Sequence, residues 1–402
     1  MKILYIAPFC TETQLSKINS FLKKDILLAQ AIKFHRMAID GLVDTGHNVD
    51  VLSSLTVHYK FARRIIWKIN PDRYKAASVE FITQVQFPIL KEIFAFLQIF
   101  KYFFICKRLN PDFILIDSLN IYISFPWALL SNLLKIRRIS LVTDLPKYLV
   151  GPTENVNIVK KIIRSVFIRL TDRVIGFSDG LIVLTKHIAD YFVMYKKPFI
   201  VIEGFVDEKY KNYSNTVKDK NSEFTFMFAG MLEEKFGIKT LVKAFMGIRN
   251  PSCQLVVFGT GSLVEFLDNC QKVDSRIKFR GLASLDDVFI EEIRSDILIN
   301  PRPSKDEYVK YSFPSKNLEY MSSGTPLLAL ELPGIPIEYY TYMYLFQNET
   351  EEGIRLGLED CLLRSREELV EFGSSAKKFV YDLKNSTNQA LKIIEFLNKI
   401  VK

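Results

Sequence analysis

Short apolar runs alternate with helix-patterned stretches along almost all of this 402-residue chain, and that alternation is the signature of parallel α/β sheets. In the first half the strand candidates are KILYIAP (2–8), HNVDVLSS (47–54), DFILID (112–117), RISLVTD (138–144), GLIVLT (180–185) and FIVIEG (199–204). Between the first two, LLAQAIKFHRMAIDGLVDTG has helical apolar spacing and ends near Gly41 or Gly46. The stretch 207–222, DEKYKNYSNTVKDKNS, is polar and charged without apolar periodicity, which is linker composition. A second series of strands comes next: FTFMFAG (224–230), QLVVFG (254–259), RIKFRG (276–281), DILINP (296–301), TPLLAL (325–330) and MYLF (343–346). Helical patterns separate them, including 239–245 and 316–323, and a Lys-rich amphipathic helix starts at about Ser374. Single cores stop growing at roughly 250–300 residues, so the chain is read as two doubly wound, Rossmann-like domains, 1–206 and 207–402. The last helix is free to pack back on the first domain.

Composition narrows the partners. With 49% hydrophobic and 25% charged residues the chain is globular rather than disordered. A net charge of +9 favours something anionic, such as a nucleoside diphosphate or an acidic lipid headgroup. No dense Lys/Arg tract is present, which argues against nucleic acid. Five cysteines, with no C-x-x-C pair, fit a reducing cytoplasm better than a zinc site or a disulfide framework. The four histidines (His35, His47, His58, His187) lack metal spacing and read as structural. The N-terminal apolar run stops at Pro8, too short for a signal peptide, and reads as a first buried strand. Residues 87–107 are interrupted by Lys91, Glu92 and Lys101. They suit an amphipathic helix, buried or lying on a membrane with Arg63, Arg64 and Trp67 nearby, rather than a spanning one.

The most informative stretch is 311–326, YSFPSKNLEYMSSGTP. Pro314 ends an irregular segment, Ser315 can cap the following helix, and Lys316 falls in its first turn. A cation there opposes the helix dipole, a conflict that a phosphate bound by the N-terminal N–H groups and the ammonium would resolve. Glu319, one turn on, can accept two hydrogen bonds from vicinal ribose hydroxyls. The plain alternative is an i,i+3 surface pair of small worth. Likewise Gly259 and Gly261, with Ser262 capping, form a strand–turn–helix anion site or only a tight turn. Val264 breaks the G-x-G-x-x-G pattern that a dinucleotide dehydrogenase would need. In the first half, Asp144 and Asp117 end strands where a catalytic or acceptor-binding group belongs, or they simply cap the next turn.

From about 177 to 336 the sequence resembles retaining glycosyltransferases of the family-4 type. FSDGLIVLTKHIADYF, VIEGFVD, FMFAGMLEEKFGIKTLVKAF, VVFGTGS, SDILINPRPS and FPSKNLEYMSSGTPLLAL fall in that family's order, and LPGIPIEYY after them resembles bacterial surface-polysaccharide enzymes. The resemblance implies a GT-B fold with the two domains facing a central cleft, the first for the acceptor and the second for a nucleotide sugar. It identifies Glu319 with the ribose-binding glutamate. It places Gly230, Gly259, Gly261, Ser315, Lys316 and Asn317 at the donor. The first glutamate of the family's E-x7-E motif falls at Tyr311, whose hydroxyl, or Asp306 or Glu307, stands in for the missing carboxylate. The family's Arg and Lys of the Gly230 loop fall at Met231 and Phe236, which leaves Lys235 and Arg302 as candidate cations.

The motifs and the resemblance together imply a cytoplasmic, peripheral retaining hexosyltransferase, with Asp144 and Tyr311 as catalytic candidates and neither metal nor cofactor. It would move a sugar from a UDP- or GDP-sugar to a hydroxyl of a lipid-linked oligosaccharide in capsule or O-antigen synthesis. A GT-B sugar-nucleotide epimerase and a non-catalytic nucleotide-sugar-binding partner remain open.

Overall fold

A computed structural model of the chain describes residues 1–22, 29–55, 66–85, 90–149, 157–213 and 223–401. His58, Arg63, Arg64 and most of the polar stretch 207–222 lie outside the described residues. Two compact units emerge, Met1–Phe205 together with Ser386–Lys402, and Val206–Asn385.

The first unit runs β1 (Lys2–Ala7), α1 (Glu12–Ser20), α2 (Ala29–Asp44), β2 (Asn48–Ser53), β3 (Ile66–Trp67), β4 (Asp72–Tyr74), β5 (Ala77–Phe81) and β6 (Gln84–Val85). It continues with α3 (Leu90–Leu97), α4 (Ile99–Leu109), β7 (Phe113–Asp117), α5 (Ile121–Leu134), β8 (Arg137–Val142), α6 (Pro146–Leu149), α7 (Ile158–Gly176), β9 (Gly180–Val183), α8 (Lys186–Tyr191) and β10 (Phe199–Val201). Its eight-stranded sheet has the order β10-β9-β8-β7-β1-β2-β5-β4. All pairs are parallel except β4 with β5. The unbroken apolar runs are explained by burial on both faces. Ile3, Tyr5 and Ala7 of β1 enter one core, with α2 behind it. Leu4 and Ile6 enter the other, under α4 and α5, where Trp127 stacks on Tyr102 at 4.9 Å between ring centroids.

The second unit comprises β11 (Phe224–Met231), α9 (Ile238–Met246), β12 (Cys253–Thr260), α10 (Val264–Val273), β13 (Ile277–Gly281), α11 (Leu285–Arg294), β14 (Ile297–Asn300), α12 (Ser315–Ser323), β15 (Leu327–Ala329), β16 (Tyr344–Leu345), α13 (Glu351–Leu362) and α14 (Arg366–Leu383). The six strands are all parallel in the order β13-β12-β11-β14-β15-β16. The strand order reverses between β11 and β14, so the crevice at their carboxyl ends is where such a sheet binds ligands.

Two expected elements differ. The helix expected over 87–107 is two helices, α3 and α4, parted at Gln98, whose buried amide donates to the Thr83 carbonyl at 3.1 Å. The single C-terminal helix from about Ser374 is also two, because the Lys384 carbonyl accepts from the Val206 N–H at 2.9 Å and Asn385 forms a bridge with Val206. After that break α15 (Ser386–Val401) belongs to the first unit. There Ile393 and Leu397 join the core that lies on α2.

Candidate functional site

The crevice is built from three loops and one helix of the second unit. After β11 the chain makes a short 3-10 turn, Glu234–Phe236, and enters α9 at Gly237. Gly237 has φ +79°, and a Cβ there would lie 2.1 Å from the Pro301 carbonyl oxygen, so only glycine lets this loop touch the one after β14. Gly259, φ +140°, ends β12 equally tightly, since a Cβ would meet the Gly230 carbonyl oxygen at 1.8 Å. Gly230, Gly237 and Gly259 therefore bring bare backbone to the carboxyl ends of β11, β12 and β14.

Arg302 lies at this meeting point and is 8% exposed. Its guanidinium carbon sits 5.9 Å from the Phe236 ring centroid and 5.1 Å from that of Tyr308. One Nη donates a long 3.4 Å bond to the Ser312 hydroxyl, while Nε has no partner. Among the described residues no carboxylate pairs with it. A buried cation without a counter-ion is costly unless an anion arrives. Lys235, in the neighbouring turn, is exposed, with Nζ 5.1 Å from the Phe236 centroid.

α12 brings the carboxylate. Ser315 was expected to cap this helix; instead Pro314 holds the N-cap position, no side chain caps the helix, and Ser315 is its first residue. Lys316 Nζ donates to Glu319 Oε1 at 2.6 Å and also faces Glu292 Oε1 at 3.7 Å. Both Lys316 and Glu319 retain roughly a quarter of their side-chain exposure, whereas Glu292 has none. Burial pulls the Lys316 ammonium down, but the charges of Glu319 and Glu292 outweigh it and hold it above the ordinary lysine range. The pair is therefore a partly buried cluster of one cation and two carboxylates, not an isolated surface contact. Tyr320 pins the helix to β11, its hydroxyl accepting from the Ala229 N–H at 2.8 Å and donating to the Ala229 carbonyl at 3.0 Å. The Asn317 amide is wholly buried, bonded to Asn300 at 2.5 Å and to Met343 Sδ at 3.8 Å.

The Gly259–Gly261 loop carries a second correction. Ser262 does not cap α10, where Leu263 holds the N-cap position. The Ser262 N–H and hydroxyl both donate to Glu233, at 3.1 and 2.6 Å, and those bonds hold the Glu233 carboxyl below the usual range. A carboxylate already occupies the N–H that an anion would use.

Tyr311 ends a 3-10 turn, Glu307–Tyr311, and is buried, with Lys310 Nζ 5.0 Å from its ring centroid. Glu307 faces Lys310 at 3.6 Å, and Asp306 precedes the turn. In the first unit Asp144 lies two residues beyond β8, and its Oδ1 accepts from the Leu145 N–H at 2.8 Å. Asp117 Oδ1 accepts from Leu119 N–H at 3.2 Å, while Oδ2 lies 3.4 Å from His35 Nε2. His35 Nδ1 is 3.0 Å from the Tyr5 hydroxyl, which makes a buried Tyr–His–Asp chain. Among the described residues no cluster of three or more His, Cys, Asp and Glu is arranged to hold a metal ion. Glu292 and Glu233 had no signal in the sequence, because each meets its partner from an element distant along the chain, and Tyr320, although inside the motif, is fixed by a bond to Ala229 that no local pattern shows.

Two parallel, doubly wound units define a GT-B fold. Over 100% of the chain, sucrose-phosphate synthase from Thermosynechococcus elongatus superposes with a TM-score of 0.69 at 13% identity, with 99% of that chain covered. Anabaena HepE in complex with UDP gives 0.63 at 13%, over 99% of this chain and 100% of that one, and HepE is also solved with UDP-glucose. The lipopolysaccharide outer core galactosyltransferase WaaB gives 0.60 at 12%, over 98% and 99%. No curated protein matches the chain by sequence. Residues 223–355, which include Arg302, Lys316 and Glu319, match the family described as Glycosyl transferases group 1. The chain has the GT-B fold, and its segment 223–355 is similar to the group 1 glycosyltransferases.

Proposed function

We propose that the chain transfers a sugar, with retention, from a UDP- or GDP-sugar to a hydroxyl of a lipid-linked oligosaccharide during surface-polysaccharide synthesis at the cytoplasmic membrane face. The observation that carries the reading is the β11/β14 reversal, where no carboxylate among the described residues pairs with the buried Arg302 guanidinium and Glu319 stands one turn into α12. A donor diphosphate would give Arg302 its anion, with Lys235 and Lys316 adding charge. Glu319 would accept from the ribose hydroxyls, which loosens its bond to Lys316 and frees that ammonium for phosphate. In the transfer, the bond from the anomeric carbon to the diphosphate breaks as one to the acceptor oxygen forms, and the acceptor's hydroxyl proton passes to the departing diphosphate oxygen. The cations stabilise the charge that develops on the leaving group. Asp144 and Tyr311 are the candidates for contact with acceptor and donor sugar. HepE's complexes with UDP and UDP-glucose support a nucleotide sugar as donor, and WaaB's lipopolysaccharide substrate class supports a surface glycan.

The test is calorimetry and thermal shift with UDP, GDP, their common sugars and NAD, on wild type and Glu319→Ala. A nucleotide sugar that binds wild type and is weakened in the variant supports the reading. Silence from every nucleotide sugar sinks it. A second reading, a non-catalytic binding partner, is favoured by the buried Tyr311 in place of a carboxylate. Acceptor-dependent release of UDP or GDP separates it, and the epimerase, from the transferase.

A further inference from the structure

A surface helix of a globular protein ordinarily turns its apolar stripe toward the core. Along much of α7 the opposite holds. Ile158, Ile162, Val166 and Leu170, each four residues from the next, all stand out to solvent, Ile158 at 72% exposure. On α5, which packs against α7, Phe125, Leu129 and Leu133 repeat the spacing and are also exposed, Leu133 at 72%. Beyond α5, Phe96 of α3 stacks on Phe125 at 6.3 Å between centroids, and Phe100 and Phe104 of α4 are 72% and 69% exposed. Contiguous exposed apolar surface on this scale marks an interaction face.

Charge indicates what the face meets. Across α4, α5 and α7 there are eight Lys or Arg and a single acidic residue, Asp172. Asp172 already accepts from the Tyr191 hydroxyl at 2.9 Å. Lys160, Lys161 and Arg169 are exposed among the apolar residues of α7. A protein partner would ordinarily present its own mixed charges. Apolar side chains interleaved with cations suit a layer of acyl chains beneath anionic headgroups. Among the described residues no helix is long and apolar enough to cross a membrane, so α7 would lie in the interface.

We propose that this face of the first unit, with α7 as its main anchor, docks on the anionic surface of a lipid bilayer. The inference deepens the lipid-linked acceptor reading and rests on it for its purpose, since an enzyme held at the headgroups meets such an acceptor there. Each basic side chain near an anionic surface is worth roughly a fivefold gain in partition.

The test is co-sedimentation of the full chain with vesicles of phosphatidylcholine alone and of phosphatidylcholine mixed with phosphatidylglycerol. Wild type should pellet with the anionic vesicles and be released by salt. Lys160→Glu with Lys161→Glu should lower partition by at least about 25-fold, two such contributions multiplied. Ile162→Ser with Ile163→Ser should abolish it. Both pairs are exposed, and each variant is checked for nucleotide binding, which should be unchanged. Wild type left in the supernatant, or variants that pellet as it does, would overturn the proposal. So would a solution dimer that the serine substitutions dissolve, which would assign the face to a second copy of the chain. Absence of nucleotide-sugar binding in wild type would instead undo the transferase reading and leave the vesicle result standing.

Discussion

In the proposed donor complex, Arg302 and Glu319 make opposite demands on one ligand. Arg302 is a buried cation beside Phe236 and Tyr308 with no carboxylate partner among the described residues, whereas Glu319 is a carboxylate already engaged by Lys316. Charged hydrogen bonds are worth about 1.5–3 kcal/mol, so Arg302→Ala and Glu319→Ala should each weaken nucleotide-sugar binding by about 10- to 150-fold, read by calorimetry. Arg302→Lys should fall between, because it keeps the charge and loses the planar stacking. Unchanged affinity in both alanine variants would place the donor elsewhere. Lys316 and Glu319 were legible because one short motif holds both. Ser315 and Ser262 were misread as caps for a common reason. Residue type shows that a side chain can cap a helix, but not that Pro314 and Leu263 hold those N-cap positions.

Elements meet at the crevice through single atoms. Gly237→Ala puts a Cβ against the Pro301 carbonyl and asks alanine to hold φ +79°. A loss of about 1–3 kcal/mol is expected in denaturant unfolding. Tyr320→Phe leaves the buried Ala229 N–H without its partner and should cost about 1–3 kcal/mol. Strands were the legible elements, since burial on both faces leaves continuous apolar runs. Helices α5 and α7 were not. α5 is apolar on nearly every side and so has no period to detect, and α7 directs apolar residues outward, against the rule by which helices are recognised. The run 87–107 carried a helical pattern but no mark for the break at Gln98.

At the scale of the molecule, the first unit is closed by the last segment of the chain. Ala390, Ile393, Ile394, Phe396 and Leu397 of α15 lie buried in its core. Burying a large aliphatic or aromatic side chain contributes about 1.5–3 kcal/mol, and the sum over these residues rivals the stability of a whole domain. Residues 1–205 expressed alone should therefore lack a cooperative thermal transition. Restoring 386–402 through a linker should bring it back. Stability should also fall in acid. Asp274 is held below the usual carboxylate range chiefly by its bonds from Arg276, at 3.0 and 2.7 Å, and Asp286 by bonds from Lys209 and Tyr210. A carboxyl lowered in the folded state contributes stability above its unfolded value and loses it as pH falls through the folded one. The melting temperature should be nearly flat from pH 7 to about 5 and drop below about 4, with Asp274→Asn blunting the drop.

The order of strands and helices, the two α/β halves and the run that carries Lys316 and Glu319 were all present in the sequence, because local periodicity and one contiguous motif encode them. Only the tertiary structure decided that Glu292 faces Lys316, that Glu233 occupies the Ser262 N–H, that Arg302 is buried with its Nε unpartnered, and that α15 returns to the first unit. Each of these depends on residues tens to hundreds of positions apart, brought together by the sheet order and core packing. Nothing in a local window of sequence records such a meeting.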